Sequence, residues 1–444
     1  MNIIREPETA RSTLLKRLPL ELQEITSGLK QRIKEAFAED LTPQQVVEQI
    51  LNEVRSRGDA ALFDYSKRLE GVELDALEVK KEEVEQSYVK LDQDIVSALN
   101  LAAQRIRAFH LKYKRQSWID FSEGGMGELV RPLEKIGVYV PGGTASYPST
   151  LLMTVIPAKV AGVKEVILTT PPQKGGAIPP ATLVAADIAK VDRIFSIGGA
   201  QAIAALAFGT QSIPRVDKIC GPGNIFVQLA KKMVYGAVDI DGIYGPTEIV
   251  ILADESANPV LCAADLLAQA EHDPLASAIL ITTSSELANG VNREIEHQLN
   301  KLERREIAAA SLENKGGIVV VSDLGQAVKL INDYAPEHLY LVIQDAWSYL
   351  DKFENAGGIF IGESSFEVIG DYIAGPSHVM PTGGAARFSS PLTVDDFLKT
   401  TSIIAIDSKT FEKVAPAAAT IAQAEGLGGH ARAVDIRLNK RRGE

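Results

Sequence analysis

Short apolar runs alternate with helical stretches over most of this chain, and that rhythm sets its architecture. From residue 135 the runs KIGVYVP (135–141), KEVILTT (164–170), RIFSIG (193–198) and KICGPG (218–223) read as strands. Helical patterns at 149–160, about 180–190, 200–208 and about 225–235 separate them. Strands alternating with helices of this length predict βαβ units and a parallel sheet. After a turn at Tyr244, Gly245 and Pro246 the rhythm restarts with EIVILAD, SAILITT, GGIVVVSD, HLYLVI and GGIFIGE. The fold class is therefore α/β, with two Rossmann-like parallel-sheet domains.

Upstream, helical periodicity dominates to about His110, with Thr42 and Pro43 as the cap and first turn of one helix. This helical region is expected to pack on the second sheet. Residues 1–37 read as a helical leader, and 392–444, with a long helix at 409–425, as a C-terminal appendage. The domains are then 38–138 with 247–391, and an inserted 139–246.

Composition narrows the function. The 444 residues are 45% hydrophobic and 23% charged, as in a globular protein with a sizeable core. A net charge of -12 disfavours nucleic acid as a partner. No apolar stretch of about 18 residues predicts a membrane span, and the N-terminus lacks a secretory core, so a cytoplasmic setting is expected. The two cysteines, Cys220 and Cys262, are too few for a disulfide framework, and Cys262 reads as core.

Only six histidines are present. His110 and His297 lie in charged helical contexts and read as surface residues. The other four sit in dense polar motifs. Gln269 and His272, spaced i, i+3, share a helix face and offer an oxygen and a nitrogen to a metal, although a polar helix end fits the pair equally well. Glu337 and His338 precede a strand and suit acid/base work, or a hydrated loop. Asp371 and His378 lie on a loop fixed by glycine and proline, where a metal contact competes with an Asx-type turn. His430 follows a glycine-rich helix end, which also reads as a plain cap. Such a set suits zinc and not iron–sulfur chemistry. A full G-x-G-x-x-G is missing, but Pro141-Gly142-Gly143, Gly198-Gly199 and Gly221-Pro222-Gly223 each stand between a strand and a helix, where backbone N–H groups suit a diphosphate.

The segments YVPGGTA, SIGGAQAIAALAFGT, KICGPGN, GPTEIVILAD, LLAQAEHDP, APEHL, GDYIAGPSHVMPT and AEGLGGHARAV together resemble the histidinol dehydrogenase family, over roughly residues 38–440. The resemblance implies oxidation of L-histidinol to L-histidine through bound histidinal with two NAD+, the last step of histidine biosynthesis. It implies one zinc per subunit, held by Gln269, His272, Asp371 and His430, with the zinc orienting substrate. His338 becomes the general base and Glu337 the residue that activates water. Thr247, His378 and Glu425 match substrate contacts, and Tyr139, Gln201 and Asn224 match NAD contacts. An intertwined homodimer is implied, with the C-terminal segment carrying Glu425 and His430 to the partner's site. The chain departs from the family's usual pattern at Thr247 (commonly Ser), at Ser377 (commonly Asn) and at Gly428-Gly429 (commonly a bulkier pair). Relatives that oxidise other small polar alcohols, including sulfonated diols, make that the alternative. Glu425 favours histidinol, since a carboxylate suits an amine or imidazolium.

Overall fold

The structure is a computed structural model that describes all residues except 18–26, 114, 123, 143–145 and 443–444. Gly143, one of the loop glycines singled out above, thus lies outside the described residues. The chain divides into two compact units, Met1–Lys112 with Leu133–Phe397, and Tyr113–Pro132 with Leu398–Glu444.

The first unit opens with a two-residue strand, β1 (Ile3–Ile4), and helix α1 (Pro7–Ser12). Helices α2 (Ser27–Phe37), α3 (Pro43–Arg57), α4 (Asp59–Tyr65), α5 (Lys81–Lys90) and α6 (Gln93–His110) follow. Thr42 caps α3 reciprocally: its hydroxyl accepts from the Gln45 N–H while the Gln45 side chain accepts from the Thr42 N–H.

In the second unit, β2 (Trp118–Asp120) and β3 (Gly125–Pro132) join the late strand β14 (Leu398–Ala405) in an antiparallel sheet ordered β14-β3-β2. Helices α16 (Ser408–Ala424) and α17 (Gly428–Arg442) complete that unit.

Back in the first unit, one sheet holds β4 (Lys135–Tyr139), β5 (Glu165–Thr170), β6 (Arg193–Ser196), β7 (Lys218–Cys220) and β8 (Asp239–Ile240). Its order is β6-β5-β4-β7-β8, all parallel. Helices α7 (Pro148–Ala161), α8 (Pro180–Ala189), α9 (Gly199–Phe208) and α10 (Ile225–Val234) are its crossovers. The other sheet holds β9 (Glu248–Ala253), β10 (Ser277–Thr282), β11 (Gly317–Val320), β12 (His338–Val342) and β13 (Gly358–Ile361), with α11 (Pro259–Ala270), α12 (Ser285–Leu299), α13 (Arg305–Lys315) and α14 (Leu324–Tyr334) between strands and α15 (Glu367–Tyr372) after the last. Its order is β1-β11-β10-β9-β12-β13, again all parallel. Without the added edge strand β1, the two sheets have the same strand order. Every residue of β9 and β10 is buried, as a parallel sheet covered on both faces requires.

Two expectations are corrected here. The helices α3 and α6 pack on the first large sheet, not the second: α3 lies against α9 and α10, and α6 against α7 and α8. Val46, Val47, Ile50 and Val54 of α3 are buried with Ile203 and Leu206 of α9, an apolar stripe matched to an apolar helix. His110 is no surface residue. It is fully buried as the last member of the α6 stripe of Val96, Leu99, Ala103 and Ile106, with its ring edge-on to Phe109. Burial pushes its imidazole down to about 4. His297 is exposed, as expected, and Cys262 is buried in the core. Among the described residues, no helix is long and apolar enough to cross a membrane.

Candidate active site

A cavity of about 600 Å³ in the first unit collects residues from both large sheets. The first sheet turns its carboxyl-terminal edge to it, through the loop after β7 and the start of α7. The second offers its amino-terminal edge, because Thr247 directly precedes β9 and His338 opens β12, paired in register with Ile249. Parallel sheets usually place ligands at strand carboxyl ends; the second sheet contributes from the opposite end. Asn224, Thr247, His272, Glu337, His338, Asp371 and His378 all line this cavity.

Glu337 and His338 are buried, at 6% and 3% exposure, so the hydrated-loop reading does not hold. Both are oriented by the start of β9. Glu337 Oε2 accepts from the Thr247 hydroxyl (2.5 Å) and the Glu248 N–H (3.0 Å). The Glu248 carbonyl lies 3.0 Å from His338 Nδ1 and can only accept, so the proton is on Nδ1 and Nε2 is turned to the cavity. Burial pushes the Glu337 carboxyl up to about 7, against the pull of His338. Burial works against a charged His338, but Glu367, Glu337 and Asp371 outweigh it and raise it well above the usual range. The peptide turn into this pair is strained: Ala335 has φ +52°, which costs a non-glycine residue about 1–2 kcal/mol.

Glu367, which sequence reasoning did not single out, sits at the centre of the cluster. It is buried at the start of α15, one helical turn before Asp371, and that i, i+4 spacing was the available signal. Its nearest amide is Gln269, fully buried near the end of α11, whose nitrogen donates to Glu367 while its oxygen accepts from the Glu248 N–H at 2.7 Å. Burial drives the Glu367 carboxyl well up. Burial also works to raise Asp371, but His338, with His378 and His272 beyond it, holds it below the ordinary carboxylate range.

The donor set fits a cation. Ligand atoms of His338, Glu367 and Asp371 lie within 4.8 Å of one another. His338 Nε2, Glu367 Oε2 and Asp371 Oδ1 are buried without hydrogen-bond partners among the described residues. The orphaned Glu367 and Asp371 oxygens, in a buried acidic spot bordered by His338 and His272, are of the kind a metal such as zinc satisfies. Of the ligands implied by the resemblance, Gln269, His272 and Asp371 surround this spot. His430, with Glu425, is exposed in the second unit.

Asp371 is helical, at the end of α15, so the Asx-turn alternative is set aside. His378 donates from Nδ1 to the Asp371 carbonyl (2.7 Å) and accepts at Nε2 from the Thr150 hydroxyl of α7 (3.1 Å). Burial lowers its basicity, so it is a neutral hydrogen-bonding group. Ser377 is buried, donating to the Met153 carbonyl (3.1 Å) and accepting from the Val379 N–H (3.2 Å). Its hydroxyl is engaged by backbone, away from the cavity lining.

The first sheet supplies the remaining polar groups. Asn224 caps α10, its Oδ1 accepting from the Phe226 and Val227 N–H groups. Gly221 before it is clamped: its N–H donates to Asp241 (2.6 Å) and its carbonyl accepts from Lys231 (2.9 Å), a fully buried ion pair. At φ +123°, and with any Cβ 2.0 Å from the Tyr139 carbonyl, only glycine fits there. Tyr139 and Gln201 are buried beside the start of α9. The Gly199 N–H donates to the Tyr139 hydroxyl (3.4 Å), and the Gln201 amide donates to Glu70 (3.3 Å). Glu70 also accepts from the Gly198 N–H (3.1 Å), so a carboxyl already caps the start of α9.

Two covered parallel sheets with a buried histidine–carboxylate cluster at the cavity between them define an α/β enzyme. A sequence profile described as Histidinol dehydrogenase matches residues 34–438. The chain is 54% identical over 396 residues to a histidinol dehydrogenase of Dehalococcoides mccartyi (strain CBDB1), covering 89% of this chain and 91% of that protein. It is 48% identical over 421 residues to one of Clostridium acetobutylicum, covering 94% and 97%. The solved histidinol dehydrogenase of Elizabethkingia anophelis superposes with a TM-score of 0.91 at 34% identity, covering 100% of this chain and 99% of that one. The chain belongs to the histidinol dehydrogenase family, and is an oxidoreductase.

Proposed function

We propose that this enzyme oxidises L-histidinol to L-histidine through bound L-histidinal, the closing step of histidine biosynthesis. The observation that carries the reading is the His338–Glu337 pair, buried with Nε2 turned to a cavity whose walls hold further imidazole and carboxylate groups.

Each oxidation removes a hydride from carbon and a proton from oxygen, and NAD+ supplies the hydride acceptor at each. With the cation that Asp371 would hold offsetting the carboxylates that raise His338, its Nε2 takes the hydroxyl proton of the alcohol. Glu337 takes a proton from the water that adds to the aldehyde, while Thr247, whose hydroxyl lies 2.5 Å from it, keeps it aimed. Zinc, held by Gln269, His272, Asp371 and His430, would fix the substrate's amine and imidazole. His378 and Glu425 complete the substrate contacts. Tyr139, Gln201 and Asn224 hold the dinucleotide at the carboxyl edge of the first sheet, as Rossmann-like sheets do.

The enzyme works as an intertwined homodimer, with Glu425 and His430 serving the partner's site. Both are exposed in the second unit, where Trp118, Phe121, Ile404 and Ile421 leave apolar surface of the kind a partner covers. NADH release from L-histidinol, measured against other small polar alcohols with zinc present, tests the reading. Preference for another alcohol would replace it.

A further inference from the structure

The matched family region begins at residue 34, yet a residue before it reaches the catalytic loop. Arg17 spreads its guanidinium over three acceptor groups, the Glu248 carboxylate and two neighbouring carbonyls. It forks onto the Glu248 carboxylate, with Nη2 at 2.8 Å from Oε2 and Nη1 on Oε1. Nε and Nη2 donate to the Tyr334 carbonyl at 2.9 and 2.7 Å, and Nη2 also to the Ala335 carbonyl at 3.2 Å. The guanidinium stacks over the Tyr334 ring, 3.9 Å from its centre.

These partners are the two backbone supports of the catalytic pair. Tyr334 and Ala335 lead directly into Pro336, Glu337 and His338, and Ala335 holds the loop in a left-handed conformation that the chain would otherwise leave. Glu248 is the residue whose N–H donates to Glu337 and whose carbonyl accepts from His338. Its carboxylate is buried and, among the described residues, accepts only from the Gly383 N–H (3.2 Å) besides Arg17. A simple ion pair needs none of the loop carbonyls. Binding all of them with one rigid fork fixes the loop against β9, and lysine, a point charge, cannot do so.

We propose that Arg17 is a positioning residue for Glu337 and His338, a brace supplied by the N-terminal segment. The proposal rests on the roles given to that pair above. Its test compares the wild type with Arg17→Ala, Arg17→Lys and the double variant Arg17→Ala/Glu248→Gln. Arg17→Ala should lower kcat for histidinol oxidation by about ten- to a hundredfold while leaving the KM for NAD+ near wild type. Arg17→Lys should recover only part of that loss. The double variant removes the unpaired buried carboxylate, so its melting temperature should recover while kcat stays low. A second readout does not depend on substrate: amide exchange at Glu337 and His338 should quicken by about tenfold or more in Arg17→Ala and Arg17→Lys, with β10 unchanged. Unchanged kcat in Arg17→Ala, or kcat that recovers together with melting temperature in the double variant, overturns the brace. If the wild type proves inactive on histidinol, the functional reading fails, and unchanged exchange at residues 337 and 338 then overturns the brace as well.

Discussion

Glu337 and His338 are neighbours in the chain with different proposed roles, and their surroundings fit that division. His338 is fixed at Nδ1 by the Glu248 carbonyl, which turns Nε2 to the cavity, as the proposed base role requires. Glu337 is fixed by the Thr247 hydroxyl and by the Glu248 N–H, and burial holds its carboxyl near neutral, where it can take and return a proton. Glu337→Gln keeps the shape and the acceptor oxygen but removes the base. Histidinal oxidation should fall by about a hundredfold or more and histidinol oxidation by much less, measured separately with each substrate; equal losses would argue against water activation. At this scale much was legible. The four histidine-bearing motifs announced themselves because histidine is scarce and each was set among acids, amides or glycines. Glu367 escaped because an acid one helical turn before Asp371 in FEVIGDY is a weak signal until burial shows that it faces Gln269 and His338. His110 was misread for the opposite reason: its charged neighbours drew attention from the stripe Val96, Leu99, Ala103 and Ile106 that it continues.

Nine of the ten strands of the two large sheets beyond β1 were visible as apolar runs, since a strand covered on both faces has no polar side to disguise it; the two-residue β8, half of it exposed, was not. The elements that were missed lack that signature. The strand β1 has two residues and takes its identity from pairing with β11. The sheet of β2, β3 and β14 depends on a pairing between Leu398–Ala405 and Gly125–Pro132, across more than 260 residues, which no local pattern encodes. The packing of α3 on α9 was likewise a choice between two apolar surfaces that the sequence leaves equal. Glu70 shows how an element can carry chemistry outside any motif: it caps α9 from another segment and is pushed by burial up to about 7. A carboxyl whose folded pKa lies above its unfolded value binds more protons folded than unfolded between about 4.5 and 7. Stability contributed at low pH is then lost as pH rises through that window, and constant above it. In Glu70→Gln the melting temperature should fall less over this window than in the wild type; parallel curves would mean the carboxyl is not shifted.

For the whole molecule, the two-sheet architecture and the family were legible from long ordered motifs, whereas the sharing of sites between subunits is a property of the assembly. If Glu425 and His430 serve the partner, inactive His272→Ala and His430→Ala subunits complement one another. Random mixing makes about half the dimers mixed, each with one intact site, so activity should return to about a quarter of wild type. Verified mixed dimers without activity would place each site within one subunit. The account as a whole stands on two successive oxidations at one carbon without release of the aldehyde. Its most direct measurement is the yield of NADH per L-histidinol consumed, with an aldehyde trap in solution and the product identified. Two NADH per substrate, L-histidine as product and no trapped aldehyde are predicted; one NADH with trapped aldehyde, or no NADH at all, would contradict it.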